Sequence, residues 1–116
     1  MSHATTLSDI LSYSTFTDGW DGDGSLAPSS FSIQRLQLAL RSLPPRFPAS
    51  TAMLSSDGAV GIYWHICETY VELDFDISGC ASFFSRKNGT ETFQDCLTDE
   101  MIIGTWLSNH LSSLLN

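Results

Sequence analysis

Three groups of side chains in this sequence have the types and spacings that chemistry uses. The first is Asp18-Gly19-Trp20-Asp21-Gly22-Asp23-Gly24, where carboxylates clustered among turn-forming glycines are the kind of ligand set calcium prefers. Spacing argues against calcium. With Asp21 and Asp23 at the third and fifth positions of an EF-hand loop and Gly24 at the sixth, Gly19 falls at the first and Ser30 at the twelfth. The opening carboxylate and the closing bidentate glutamate are then both missing. The loop built by Trp20, Asp21, Gly22 and Gly24 is therefore expected to be structural. Its glycines supply backbone angles that other residues avoid, its aspartates bond nearby N–H groups, and Trp20 pins it against the core. No metal is assigned to it.

The second group is His65 and Cys67, two apart on one face of an expected strand. Such positions stand roughly 6.6–6.8 Å apart at the Cα, and a Cys–His nucleophile also needs an orienting group and an oxyanion site. Neither is recognisable, so no catalytic residue is assigned. The third group is the outward face formed by Tyr63, His65, Tyr70, Glu72, Asp74 and Asp76. Three carboxylates on alternate residues make a negative ladder with a repeat of roughly 7 Å, and the cross-strand aromatics add the contact area that interfaces favour. That repeat is similar to the phosphate spacing of a nucleic-acid strand, which makes mimicry a variant of the same reading. A wet polar face of an antiparallel sheet is the ordinary alternative.

Positioning these groups falls to a pattern that changes from helical to alternating along the chain. Leu7, Ile10, Leu11 and Ser14 lie at helical spacing over residues 5–14. Ala27-Pro28-Ser29-Ser30 then opens a second helix running to about Leu43, with Phe31, Ile33, Leu36, Leu40 and Leu43 as its apolar stripe and Gln34, Arg35, Gln37 and Arg41 largely off it. Pro44-Pro45 ends it. After Pro48 the period becomes two. Met53 and Leu54 belong to a first strand, and Ser56-Asp57-Gly58 turns into a second with Val60, Ile62, Trp64 and Ile66 inward and Gly61, Tyr63, His65 and Cys67 outward. Val71, Leu73, Phe75 and Ile77 are the inward set of the third, followed by the Ser78-Gly79 turn. A fourth strand from Cys80 to Arg86 meets the hairpin signal Lys87-Asn88-Gly89-Thr90, and a fifth covers Thr90 to Gln94. Thr98, Asp99 and Glu100 suit the start of one closing helix, whose expected apolar set is Leu97, Met101, Ile102, Trp106, Leu107, Leu111, Leu114 and Leu115. The expectation is one α+β domain over residues 1–116, in two layers: an antiparallel meander of four or five strands, two N-terminal helices and one C-terminal helix. The apolar breadth of that last helix suggests a homodimer through it.

Thirteen acidic and five basic side chains give a net charge of −8. Direct binding to nucleic acid or to an anionic membrane is thereby disfavoured, and a partner with a basic surface is favoured. Cys67, Cys80 and Cys96 are odd in number and lack CxxC spacing, which speaks against a disulfide framework and a zinc site and for a reducing, cytoplasmic setting. The first residues lack a basic start followed by an apolar core, and Asn88-Gly89-Thr90 is better read as turn chemistry than as a glycosylation acceptor. No cofactor is expected.

Gly19-Trp20-Asp21-Gly22-Asp23-Gly24, then Pro28, a helix ending Leu43-Pro44, Pro48 and Asp57-Gly58-Ala59-Val60-Gly61-Ile62-Tyr63-Trp64 resembles small bacterial and mobile-element proteins with a W-D-G-x-G loop. The likeness spans about residues 18–77 and departs at Ser25, where alanine often follows the second glycine of the pattern. It brings no activity. It implies a setting in which small acidic proteins act by binding other proteins, as antitoxins or as phage inhibitors of host defence of the anti-CRISPR type. The expected function is a non-enzymatic inhibitor that presses its acidic, aromatic-bearing face onto a basic, nucleic-acid-binding surface of a protein. The alternatives are an antitoxin-like neutralising protein, or a small metal protein or enzyme using Asp18, Asp21, Asp23 or the His65/Cys67 pair.

Overall fold

A computed structural model describes residues 3–115, so Met1, Ser2 and Asn116 of the expected domain lie outside the described residues. In chain order the elements are α1 (Ala4–Ser12), a 3₁₀ turn (Tyr13–Thr15), α2 (Ser30–Ser42), β1 (Thr51–Leu54), β2 (Val60–Ile66), β3 (Thr69–Phe75), β4 (Ala81–Lys87), β5 (Thr90–Leu97), α3 (Asp99–Ile103) and α4 (Thr105–Leu115). The five strands form one antiparallel sheet in sequential order, an α+β meander. Short turns make that order cheap to close, because each strand pairs with the strand just before it.

Alternation decides which face is buried. Val60, Ile62 and Trp64 of β2, Val71, Leu73 and Phe75 of β3, and Ala81 and Phe83 of β4 turn toward the helices and are buried. Against them α1 places Ile10, α2 places Ile33, Leu36, Ala39 and Leu40, and the C-terminal helices place Ile102, Leu107 and Leu111. Trp64 satisfies its indole N–H by donating to the Pro48 carbonyl at 2.9 Å, so its ring can be buried whole. Ser29 caps α2 by accepting from the Ser32 N–H at 3.1 Å. Lys87 donates to the Ser113 and Leu114 carbonyls at 3.2 and 3.1 Å, placing a cation at the negative end of α4.

Several expectations are corrected. Ile66 and Ile77 belong to the inward sets by period but are exposed: Ile66 is the last residue of β2, and Ile77 lies in the turn after β3. Phe31 is exposed on the first turn of α2, where its ring lies over Gly79, while Ser32 and Ala39 take the buried positions. Arg35, expected off the stripe, is largely covered. It donates to the Gly79 carbonyl, pairs with Asp99 at 2.7 Å, and lies 5.9 and 5.5 Å from the Phe31 and Phe75 ring centres. The closing helix is two helices, broken at Gly104, where any Cβ would collide with the Glu100 carbonyl. Its leucines Leu107 and Leu111 go into the core of the same chain. Exposed Phe31, Leu38 and Ile103 line a groove of 190 Å³ between α2 and α3. Among the described residues, no helix is long and apolar enough to cross a membrane.

Candidate functional site

All the helices pack on one face of the sheet, which leaves the other face to carry the residues singled out by type. Register sorts that face into three cross-strand rows. Thr51, Tyr63, Glu72, Phe84 and Phe93 stand opposite one another in turn across all five strands. His65, Tyr70, Arg86 and Glu91 form the row toward one end. Met53, Gly61, Asp74 and Ser82 form the row toward the other.

Tyr70 is the hub of the aromatic end. Its ring centre lies 5.9 Å from Tyr63, 5.8 Å from His65 and 6.2 Å from Phe84, and the Arg86 guanidinium stands over it at 5.7 Å. Ring pairs in tilted or offset geometry on a pleated face are favourable beyond their buried area. Phe93 continues the surface onto the edge strand and is 62% exposed. A phenylalanine that open on an edge strand is the opposite of the charge or proline usually found there.

Carboxylates dominate the other end. The Tyr70 hydroxyl donates to Glu72 Oε1 at 2.5 Å, and Glu72 in turn hydrogen-bonds Asp74. Burial of Asp74 on the Gly61 row, its hydrogen bond to Glu72 and the nearby charges of Glu72 and Asp57 push its carboxyl up to about 8. Glu72 moves the other way, held below the usual carboxylate range by the hydrogen bond from Asp74 and then by that from Tyr70. The Tyr70 phenol is raised by burial and by Glu72. Burial and the shared hydrogen bond therefore push the two carboxyls apart, with Asp74 the weaker acid of the pair. Glu72, Asp74, Asp57, Asp76 and Asp95 line a concavity of 380 Å³ with Cys80 and Ser82.

Asp76 is not part of the strand face. It lies in the turn after β3 and accepts from the Ser78 N–H, the Ser78 hydroxyl and the Cys80 N–H at 2.9, 2.6 and 2.9 Å. Those bonds, led by the Ser78 side chain, hold its carboxyl below the ordinary value. Cys67 also leaves its strand and sits in the β2–β3 turn with φ +54°. It lines a small concavity with His65, Glu68, Thr69, Tyr70 and Arg86, but it shares no hydrogen bond with His65 among the described residues. The imidazole packs edge-on against Tyr70 instead.

The Gly/Asp loop closes on itself. Gly19, Gly22 and Gly24 all take positive φ, at +79°, +81° and +76°, which only glycine adopts without strain. The Asp18 carboxylate accepts from the Ala27 N–H at 2.8 Å, and Asp21 accepts from the Asp23 N–H at 2.8 Å. Ser25 is buried, its hydroxyl accepts from the Asp21 N–H at 3.1 Å, and its carbonyl accepts from Gly19 at 2.7 Å. The Ser25 side chain therefore adds a bond to the loop. Trp20 does not reach the core: it donates to the Leu26 carbonyl at 2.8 Å and leans on Phe16, 5.6 Å away.

Comparison with known protein families, characterised proteins and solved structures gives no match.

Sequence reading by segment missed Phe84, Arg86 and Phe93 as members of the outer face, and Asp57 and Asp95 as walls of the acidic concavity. Hairpin register counted back from Asn88-Gly89 was the available signal for the first three: Lys87 opposite Thr90 sets Arg86 opposite Glu91 and Phe84 opposite Phe93.

Proposed function

We propose that the open sheet face binds a basic surface of a protein partner and that the chain acts by occupying it, as a non-enzymatic inhibitor. The observation carrying this reading is the juxtaposition on one uncovered face of an aromatic hub at Tyr70, an exposed Phe93 and a carboxylate-lined concavity. Aromatic rings supply desolvated contact area, while the charges of Glu72, Asp57, Asp76 and Asp95 steer a cationic partner and set register. Tyr63, His65, Tyr70, Glu72 and Asp74 contribute directly, whereas Asp76 acts from the adjoining turn. A surface that normally holds nucleic-acid phosphates is the basic site this charge pattern fits best. A phage inhibitor of a nucleic-acid-handling defence complex has that chemistry. The resemblance carried by the W-D-G-x-G loop supports the same mobile-element setting.

The test is capture from a bacterial host lysate with the parent chain and with the triple variant Glu72→Ser, Asp76→Ser, Phe93→Ser. The expected outcome is a partner that the parent holds at low salt, that added nucleic acid competes away, and that the variant fails to retain. A partner held equally by parent and variant, or one indifferent to nucleic acid, would refute the proposal. Identity of the captured protein separates a defence effector from the toxin that an antitoxin-like role requires.

A further inference from the structure

At the acidic end of the same face, a β-bulge brings Cys80 beside the adjacent pair Asp95 and Cys96, from which the sequence separates it. Phe83 pairs with Gln94 and Ala81 pairs with Leu97. Ser82 is therefore the single residue opposite two, Asp95 and Cys96, the arrangement of a bulge with one extra residue. Cys96 takes φ +54°, uncommon for a residue with a side chain, and its N–H donates to Asp95 Oδ1 at 2.9 Å. Cys80 immediately precedes β4, its N–H held by the Asp76 carboxylate at 2.9 Å. The result is a Cys80 Sγ to Cys96 Sγ separation of 3.8 Å, and a carboxylate oxygen of Asp95 lies within 4.8 Å of both sulfurs.

We propose that Cys80, Asp95 and Cys96 form a binding site for a thiophilic divalent cation, zinc in the first instance. Two thiolates each about 2.3 Å from a tetrahedral zinc stand about 3.8 Å apart, which is the separation found here. A disulfide would need the sulfurs to close to about 2.05 Å. The ligand set is two soft sulfurs and one carboxylate, which selects zinc over calcium or magnesium. The fourth position is open to water. Cys96 and Asp95 are exposed and Cys80 is half-buried, so a cation reaches the site from solvent. The surrounding carboxylates of Asp57, Glu72 and Asp76 share the same concavity and draw a dication to it. Binding would tie the start of β4 to the end of β5 across the bulge, where the ladder is interrupted.

The experiment uses the full chain, stripped of metal and kept in a non-thiol reductant. Cobalt is added alone as a spectroscopic stand-in for zinc, and melting temperature is followed with zinc alone. Thiolate-to-cobalt charge-transfer absorption is expected for the parent and for Cys67→Ser, and its loss for Cys80→Ser and Cys96→Ser. Zinc should raise the melting temperature of the first two proteins and not of the last two. Cys96→Ser changes an exposed side chain, so an unchanged circular dichroism spectrum separates loss of the site from loss of the fold. Asp95→Asn keeps an oxygen for the Cys96 N–H while removing the charge, and should weaken zinc binding without abolishing the cobalt band. Absence of the band in the parent, its dependence on Cys67, its survival in Cys96→Ser, or equal competition by calcium would each overturn the proposal.

Discussion

Replacing Asp74 with asparagine should remove most of a pH dependence of stability that one carboxyl builds into this fold. Asp74 is pushed from 3.8 up to about 8 in the folded chain, first by burial and then by its hydrogen bond to Glu72 and the charges of Glu72 and Asp57. A group whose folded value is raised contributes stability that is full below its unfolded value and is lost as pH rises through the folded one. For Asp74 the loss therefore runs from about pH 4 to about pH 8. Taken at face value, a shift of this size corresponds to roughly 5–6 kcal/mol. The carboxyl lies on a solvent-facing side of the sheet and is only partly buried, so water screening brings the expected effect down to about 1–2 kcal/mol. Asparagine imitates the protonated acid: its amide N–H can donate to the Glu72 carboxylate, and it has no charge to bury. Urea unfolding at pH 5, 7 and 9 is the assay. Relative to Asp74→Asn, the parent should lose about 1–2 kcal/mol between pH 5 and pH 9, and the variant should be the more stable protein at pH 9. General repulsion among the acidic side chains acts on both proteins and cancels in the comparison. Parallel stability curves would show that Asp74 is an ordinary ionised surface aspartate and that the Glu72–Asp74 pair does not share a proton.

Two further outcomes follow from close packing. Gly61→Ala would place a methyl 2.5 Å from Asp74 Oδ1, 2.6 Å from the Leu73 carbonyl and 2.7 Å from Met53 Cε. It should cost about 1–3 kcal/mol by overpacking, measured by urea unfolding, and a smaller cost when combined with Asp74→Ala would trace part of the strain to that side chain. Arg35→Met keeps an apolar stem between Phe31 and Phe75 but loses the bonds to the Gly79 carbonyl and Asp99. A loss of about 1.5–3 kcal/mol is expected, and a neutral result by thermal unfolding would show that Arg35 does not join α2 to the β3–β4 turn and α3.

Much of the architecture was legible because the signals were local. The alternation Val60, Ile62, Trp64 and Val71, Leu73, Phe75 assigned strands and buried face together, since a one-residue slip would have put every one of them into water. Asn88-Gly89 located the β4–β5 hairpin, and Ser29 located the start of α2. Errors gathered at element ends. Ile66, Ile77 and Phe31 obey the period of their element but lie where no second layer covers it. Asp76 and Cys67 continue an alternation in sequence after the strand has already turned. Arg35 was misplaced for the opposite reason: a long side chain can reach a carbonyl and a carboxylate from the margin of a helix and be buried there. At the candidate site, type and alternation were enough to pick Tyr63, His65, Tyr70, Glu72 and Asp74 as one face. Their rows and mutual contacts depended on register across the sheet.

By itself the sequence determined a sheet with one apolar face, the helices able to cover it, a glycine-built loop around Trp20 and an excess of negative charge, because each is a property of neighbours along the chain. Tertiary structure alone decided the rest. Counted from the hairpin without interruption, Cys80 and Cys96 would point to opposite faces of the sheet. One extra residue in β5 reverses the side of Cys96 and sets it beside Cys80. Likewise no spacing announces that the Asp74 carboxyl is pushed up, since that depends on its burial on the assembled sheet and on its hydrogen bond to Glu72. Periodicity is a local property of the chain, whereas register and desolvation are properties of the assembled sheet.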